Sequence, residues 1–359
     1  MQPRVAIIYL CYGNLRHLSE VVSSWAEQEY PKDRTAIVMI PNGSPDGIAD
    51  VIRSEVLPRA GKDLPNELVL LDNGENGGFA AGNNQGIRWA QDNGYDYVYL
   101  NNGDLKLDPH TISHVVDMAE SDDNVGAVQS LVLFWDDHEK VNTTGGMIHI
   151  GGYGYARDNG RQLSEIDRKD GEEIMYPSGA ATLYRVSALN KVGLLEEGFF
   201  MYHEDLELGL RLRIAGFKNL LSMKSRTFHD YQFSRNPKKF QWMETYRWVV
   251  MVAYLKPMSV LLWIPFAVFI ELGSWAMSIK GGWVGSKWKS FCDINRVSTI
   301  KLIHKIKSRQ RQVRVIKDRD WLRDVTGKIE DQETESTLMR VANAVIDPLW
   351  RLVRTVIFW

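Results

Sequence analysis

Residues 97–109 read YVYLNNGDLKLDP. An unbroken apolar run, Tyr97–Leu100, gives way at once to Asn102, Gly103 and Asp104. Such a run suits a strand buried on both faces, with its carboxyl end opening onto polar chemistry. Toward the N-terminus lie three more runs of this kind, Val5–Leu10, Ala36–Ile40 and Leu68–Leu71. Helical patterns fall between them, near Leu15–Gln28, Ile48–Leu57 and Ala80–Asn93. This βαβα alternation predicts an α/β fold with a mainly parallel sheet covered by helices on both faces. Ligands of such sheets bind beyond the carboxyl ends of the strands, where strand order reverses. The polar residues that follow each strand are therefore the ones that bear on function.

Asp104, with Asn102 before it, offers hard oxygen ligands that suit Mg²⁺ or Mn²⁺ with positions left for substrate phosphates. Asn and Asp after a strand also serve as plain turn formers. The third strand end continues as LDNGENGGFAAGNNQGI over residues 71–87. Its glycines allow close backbone approach to a ligand, the helix that follows favours phosphate at its N-terminus, and its asparagines suit sugar hydroxyls. It has neither a GxGxxG fingerprint with its acidic partner nor a Walker lysine. Residues 199–217, FFMYHEDLELGLRLRIAGF, place Glu204, Asp205 and Glu207 in a first helical turn. Leu206, Leu210 and Ile214 then form one apolar face, and Gly216 is a stop signal. Acidic residues there are favoured by the helix dipole alone. His229 follows a strand expected over Lys218–Met223; a cation beside Asp104 would need such a further ligand.

After Asp122 the texture shifts to Val125–Leu133, Gly145–Tyr155 and Ala180–Val186, read as a small antiparallel or mixed extension with Gly-rich turns. Pro237 marks a boundary near Asn236–Lys238, dividing the chain into residues 1–236 and a basic, helical region 237–359. The overall charge is −2, yet Lys280–Lys328 holds fourteen Lys/Arg against four Asp/Glu. Such a block attracts anionic membrane or nucleic acid. Cys11 and Cys292 give no disulfide framework, which points to a reducing compartment. Val5–Leu10 follows the first residues without a charged leader, so no signal peptide is expected.

Taken in order, the opening strand with CYGN, then PNGSPDG, ENGGFAAGNNQGI, LNNGD, PSGAATLYR, FFMYHEDLELGLRLRIAGF and the late His229 resemble the inverting family 2 glycosyltransferases of GT-A fold. The likeness is greatest to the rhamnosyltransferase-type members that build bacterial surface glycans, and it covers roughly residues 4 to 235. The resemblance implies a metal-dependent hexosyltransferase. It would move a sugar from a nucleoside diphosphate to a hydroxyl of a glycan or lipid-linked glycan acceptor. It assigns Asp205 as catalytic base with Glu204 beside it, and Asp104 and His229 as ligands of Mg²⁺ or Mn²⁺. Tyr12, Asn42, Ser44, Asn76, Gly78, Phe79, Asn83 and Asn102 would line the donor. Two departures stand out: Pro41 precedes Asn42 where the family has an acidic residue that contacts the base, and the DxD motif is Asn-Gly-Asp.

Ser259–Ile279 is apolar apart from Glu271 and is broken by Pro265, which leaves a membrane span, an interfacial helix and a buried helix open. The tail Thr337–Trp359 sets Arg340, Asp347, Arg351 and Arg354 on one helical face, beside Val341, Val345, Leu349, Leu352, Val356 and Trp359. Such a helix lies in a membrane interface or packs on its own domain. With the basic block it predicts attachment to the cytoplasmic face of the cell membrane, peripherally or through one embedded segment. No nucleic-acid partner is expected. Two other readings are a processive polysaccharide synthase, for which Glu244-Thr-Tyr-Arg247-Trp248 is a near miss to QxxRW, and a non-catalytic sugar-nucleotide-binding module.

Overall fold

A computed structural model describes residues 2–231, 237–332 and 337–359. Its strands are β1 (Val5–Leu10), β2 (Thr35–Ile40), β3 (Glu67–Leu70), β4 (Tyr97–Asn102), β5 (Leu105–Leu107), β6 (Val125–Phe134), β7 (Val141–Thr143), β8 (Gly146–Ile148), β9 (Gly154–Ala156), β10 (Glu172–Glu173), β11 (Ala181–Arg185) and β12 (Lys218–His229). The helices of the first part are α1 (Leu18–Ala26), α2 (Ile48–Val51), α3 (Gly78–Asp92), α4 (Thr111–Glu120), α5 (Val186–Val192) and α6 (Glu204–Ile214). Those of the second are α7 (Pro237–Tyr254), α8 (Pro257–Lys280), α9 (Val284–Ile294), α10 (Val297–Val313), α11 (Asp318–Leu322) and α12 (Thr337–Val353).

The main sheet runs β10-β12-β6-β11-β4-β1-β2-β3, with β5 on β12 and β7 on β6. β1 lies parallel to both β2 and β4, so the chain steps outward through β2 and β3 and then returns to the other side of β1. That reversal creates a crevice at the carboxyl ends of β1 and β4, where Leu10 pairs with Asn102. β11 enters antiparallel between β4 and β6. β1 and β2 are buried at every position, and apart from Thr35 at the start of β2 both are apolar throughout, as a sheet covered on both faces requires.

Three expectations change. Residues 145–155 do not form one strand: β8 and β9 make a separate two-stranded hairpin, turned at Gly152, whose φ of 80° suits glycine. β12 does not end at Met223 but continues to His229, with a register irregularity between Ser222 and Arg226. The polar Lys224-Ser225-Arg226 hides that continuation from hydropathy. Residues 125–133 and 180–186 lie within the main sheet, where β11 runs antiparallel between β4 and β6 and the short β5, β7 and β10 pair antiparallel at β12 and β6.

One apolar cluster packs α1 and α4 under one face of the sheet, and a second packs α3 and α5 over the other. A third cluster joins α6 and β8 to α7, α8 and α12. Asn236, at the expected boundary, lies outside the described residues, and α7 begins at Pro237. The C-terminal helices share this third core with α6. Leu206, Leu210 and Ile214 of α6 face them, while Leu208 and Leu212 face the sheet. α6 is thus buried on both sides rather than along one stripe. Glu207, in its first turn, is fully buried and pairs with Arg211 at 2.8 Å, and Tyr254 Oη donates to it at 2.6 Å.

Candidate active site

Asp104 occupies the turn between β4 and β5, and His229 ends β12. Antiparallel pairing of β5 with β12 sets His229 opposite Leu105, which brings the His229 ring to 3.2 Å from Asp104 Oδ1 through Nε2. The backbone N–H of Asp230 donates to the Asp104 carbonyl at 3.0 Å and fixes the corner. Burial works to raise the Asp104 carboxyl, but the charge and hydrogen bond of His229, with His17 further off, hold it below the ordinary carboxylate value. Asp230 accepts from Arg16 at 2.8 Å and meets the His17 ring at 2.9 Å. That second acidic corner could not be read from sequence, because its partners are over two hundred positions apart.

Among the described residues no cluster of three His, Cys, Asp or Glu forms a complete metal cage. One carboxylate and one imidazole in contact are the donor set of a partial site. Mg²⁺ and Mn²⁺ accept that when substrate oxygens and water complete the shell. Asp104 and His229 therefore fit the ion the sequence implies.

The acidic pair sits at the start of α6. Tyr202 and His203 both have φ of 70°, a left-handed conformation unusual for side chains of their size. His203 is buried, with Nε2 3.1 Å from the Gly152 carbonyl, and this contact holds the turn that aims Asp205. Asp205 Oδ1 accepts from the Leu206 N–H at 2.7 Å and Oδ2 from the Gly179 N–H at 3.2 Å. Gly179 belongs to the PSGAATLYR stretch, whose part in holding Asp205 had no signal in the sequence. Burial raises the Asp205 carboxyl despite these bonds. Glu204 is raised well above its ordinary value, by burial first and by the Asp205 charge second. Its Oε2 is buried without a hydrogen-bond partner.

A carboxyl raised in the fold has a defined effect on stability. An ordinary Glu ionises near pH ~4.3. Between that value and the raised one, the native chain holds a proton that the unfolded chain has lost, so stability falls as pH rises through the window. Glu204→Gln removes this titration. Its melting temperature should fall less steeply than the parent's as pH rises above the ordinary Glu value, as followed by thermal unfolding; parallel curves would refute the shift.

The donor-side residues form one loop system. Asn42, at φ 51°, donates through Nδ2 to Asn76 Oδ1 at 3.2 Å and to the Gly78 carbonyl at 3.3 Å, and its Oδ1 accepts from the Gly77 N–H at 3.1 Å. Asn76 Oδ1 also accepts from the Gly78 N–H. Gly78 has φ 84°, and a Cβ there would lie 2.3 Å from the Phe200 carbonyl oxygen. That same oxygen accepts from the Phe79 N–H at 2.9 Å, so the donor loop is seated on the segment just before the acidic pair. Asn83 is buried and donates to the Phe79 carbonyl at 3.0 Å. Ser44 accepts from the Gly13 N–H and donates to Asp46 at 2.7 Å, joining the first two strand ends. Tyr12 is exposed, and Asn102 ends β4 with its N–H on the Ala180 carbonyl. Asn42, Asn76 and Asn83 thus shape the loop that the resemblance places around a donor.

Glu204, Asp205 and His229 open onto one cavity of about 750 Å³, together with Tyr202, Tyr231 and Lys239. A doubly covered α/β sheet, a metal-competent corner at its switch point and a buried carboxylate across one cavity define the architecture of a nucleotide-sugar transferase. The sequence profile of the family described as glycosyltransferase like family 2 matches residues 3–250, and the chain belongs to that family.

The N-acetylglucosaminyl-diphospho-decaprenol L-rhamnosyltransferase of Mycobacterium tuberculosis is 26% identical over 247 residues, covering 64% of this chain and 76% of that protein. The low-salt glycan biosynthesis hexosyltransferase Agl10 of Haloferax volcanii is 26% identical over 156 residues, covering 41% and 47%. Among solved structures, the mannosyltransferase PcManGT of Pyrobaculum calidifontis, in complex with GDP-Man and Mn²⁺, superposes with a TM-score of 0.51 at 16% identity, covering 87% of this chain and 85% of that one. S. aureus TarS 1-349 in complex with UDP-GlcNAc superposes at 0.52 with 14% identity, covering 93% and 98%. These likenesses establish the GT-A-like fold.

Proposed function

We propose that this chain transfers a sugar, rhamnose being the first candidate, from a nucleoside diphosphate to a hydroxyl of a glycan or lipid-linked glycan, with inversion at the anomeric carbon. The observation that carries the reading is Asp205, held by two backbone N–H groups at the head of α6 and facing the same cavity as His229, the partner of Asp104. The ionised Asp205 carboxylate takes the proton of the acceptor hydroxyl as its oxygen attacks the anomeric carbon and the bond to the diphosphate breaks. Glu204, kept neutral by burial, leaves Asp205 as the ionised member of the pair. A divalent cation held by Asp104 and His229 would supply charge neutralisation for the departing diphosphate. The Asn42–Asn76–Gly78 loop, seated on Phe200, orients the donor sugar toward Asp205.

The Mycobacterium tuberculosis relative, named for a diphospho-decaprenol acceptor, supports a lipid-linked acceptor here. The deciding experiment is a donor screen by nucleoside diphosphate release, beginning with dTDP-rhamnose and UDP-sugars, with a metal-free control. Tight nucleotide binding without turnover on any donor would favour a non-catalytic binding module. The processive-synthase reading finds no support in the Glu244–Arg247 pair. Those side chains are buried in an ion network with Glu271 and Lys287 that ties α7 to α8 and α9.

The region 237–359 gives the enzyme a membrane-facing side. Among the described residues every exposed large hydrophobic side chain except Tyr12 lies at Met258 or beyond. α8 is long and apolar enough to cross a bilayer. Yet Trp263, Phe266, Ala267, Ile270, Ser274 and Ser278 are buried along one side of it, and Glu271 turns inward onto Arg247 and Lys287. This supports a helix lying in the membrane interface rather than a span. Alkaline carbonate should release the enzyme from membranes; retention in the carbonate pellet would indicate a span.

A further inference from the structure

The cavity that holds Asp205 does not close around a sugar. At its other end it is lined by Phe269, Leu272 and Met277 of α8 and by Val341, Ala342 and Val345 of α12. Of these, Leu272 is 66% exposed, Val341 58% and Phe269 52%. The same side chains therefore line the inner cavity and the outer surface, and this end is a mouth between two helices. Around it the outward faces of α8 and α12 continue apolar through Ile264, Val268, Leu349 and Leu352. Solvated proteins rarely leave such a face uncovered. Lys239, a buried cation that donates to Tyr231 Oη at 3.2 Å, lines the cavity as well.

A polar base, a cation and an apolar mouth along one cavity match one kind of ligand: an amphiphile with a sugar head, a phosphate group and a hydrocarbon chain. A soluble glycan would gain nothing from an apolar mouth, and a bilayer surface alone does not need a cavity leading to a carboxylate. We propose that the gap between α8 and α12 is a portal through which a membrane-resident acceptor enters. Its hydrocarbon chain would lie against Phe269, Leu272, Val341 and Val345 while its sugar hydroxyl reaches Asp205. The inference rests on reading Asp205 as the transferase base. It adds to that reading the route of the acceptor and the residues that select a lipid-borne one.

The test uses the full chain with vesicles of phosphatidylglycerol and phosphatidylcholine that carry a diazirine-bearing long-chain alkyl diphosphate, with adducts mapped by mass spectrometry. Adducts are expected on lining residues away from the mouth, Tyr153, Met243 and Ile346, as well as on the mouth. Leu272→Glu and Val345→Glu place a charge at the mouth on exposed positions that the fold tolerates. Leu261→Glu and Leu352→Glu place the same charge on the same outward faces but outside the cavity. The mouth variants should lower inner labelling by about tenfold relative to the outer pair at equal vesicle binding, since a carboxylate in a hydrocarbon path is costly. Equal labelling in the two pairs, or adducts confined to outward residues, would overturn the portal. A dimer in vesicle-free solution that Leu272→Glu abolishes would assign the face to a second copy and overturn it as well. Labelling requires no sugar transfer. Inner adducts without turnover on any donor would leave the portal standing and sink the transferase reading. Turnover onto a water-soluble acceptor without inner adducts would sink the portal alone.

Discussion

Asp205→Asn is expected to lower the transfer rate by about 10²–10⁴, the usual contribution of a positioned general base. Donor affinity and fold should survive. The asparagine keeps the side-chain shape, its oxygen still accepts from one of the Leu206 and Gly179 N–H groups, and the cost of ionising a buried carboxyl disappears. One N–H loses its acceptor, a loss of about 1 kcal/mol, which a melting curve can register separately from kinetics. The measurement is single-turnover transfer with donor saturating, alongside nucleoside diphosphate affinity. A folded variant that transfers sugar at the parental rate would remove Asp205 from the mechanism. Because burial raises this carboxyl, the acidic limb of the parent's pH profile should lie above that of an ordinary aspartate: activity falls as pH drops through the raised value and the base is protonated.

Asp104→Ala is the second large effect. It should abolish the part of donor affinity that depends on Mg²⁺ or Mn²⁺, a loss of at least about tenfold, since even groups that only support a metal ligand cost 10–100-fold when removed. Nucleotide binding in chelator should change little. The alanine also strips the buried His229 ring of its carboxylate partner, so Asp104→Asn, which keeps an oxygen acceptor, serves as the folding control. Calorimetric titration of a nucleoside diphosphate with and without metal reads both. Unchanged metal-dependent affinity in both variants would exclude Asp104 as a ligand.

The chain announces its sheet because strands buried on both faces need unbroken apolar sequence. Val5–Leu10 and Ala36–Ile40 have no position at which solvent would admit a polar residue. The extent of β12 was less legible. Its tail passes through Lys224-Ser225-Arg226, and partnership with β5 and β6, not its own hydropathy, keeps that stretch in the sheet. Likewise the stripe Leu206–Leu210–Ile214 suggested a helix with one buried side. The apolar residues between, Leu208 and Leu212, find the sheet only because the C-terminal helices cover the other face.

The candidate site divides along the same line. Which residues are candidates for the chemistry was legible in the sequence: a carboxylate after β4, an acidic pair opening a helix and a Gly/Asn loop are local patterns, fixed by what a strand end or helix start requires. Their company was decided in three dimensions. His229 reaches Asp104 through a strand pairing that spans 125 positions, Gly179 anchors Asp205 from another segment, and Phe200 seats the Gly78 loop. The role of the C-terminal helices belongs to this second class too. Their hydropathy showed only that they prefer to leave water. Packing decides which side of each helix the protein covers and which side it leaves exposed.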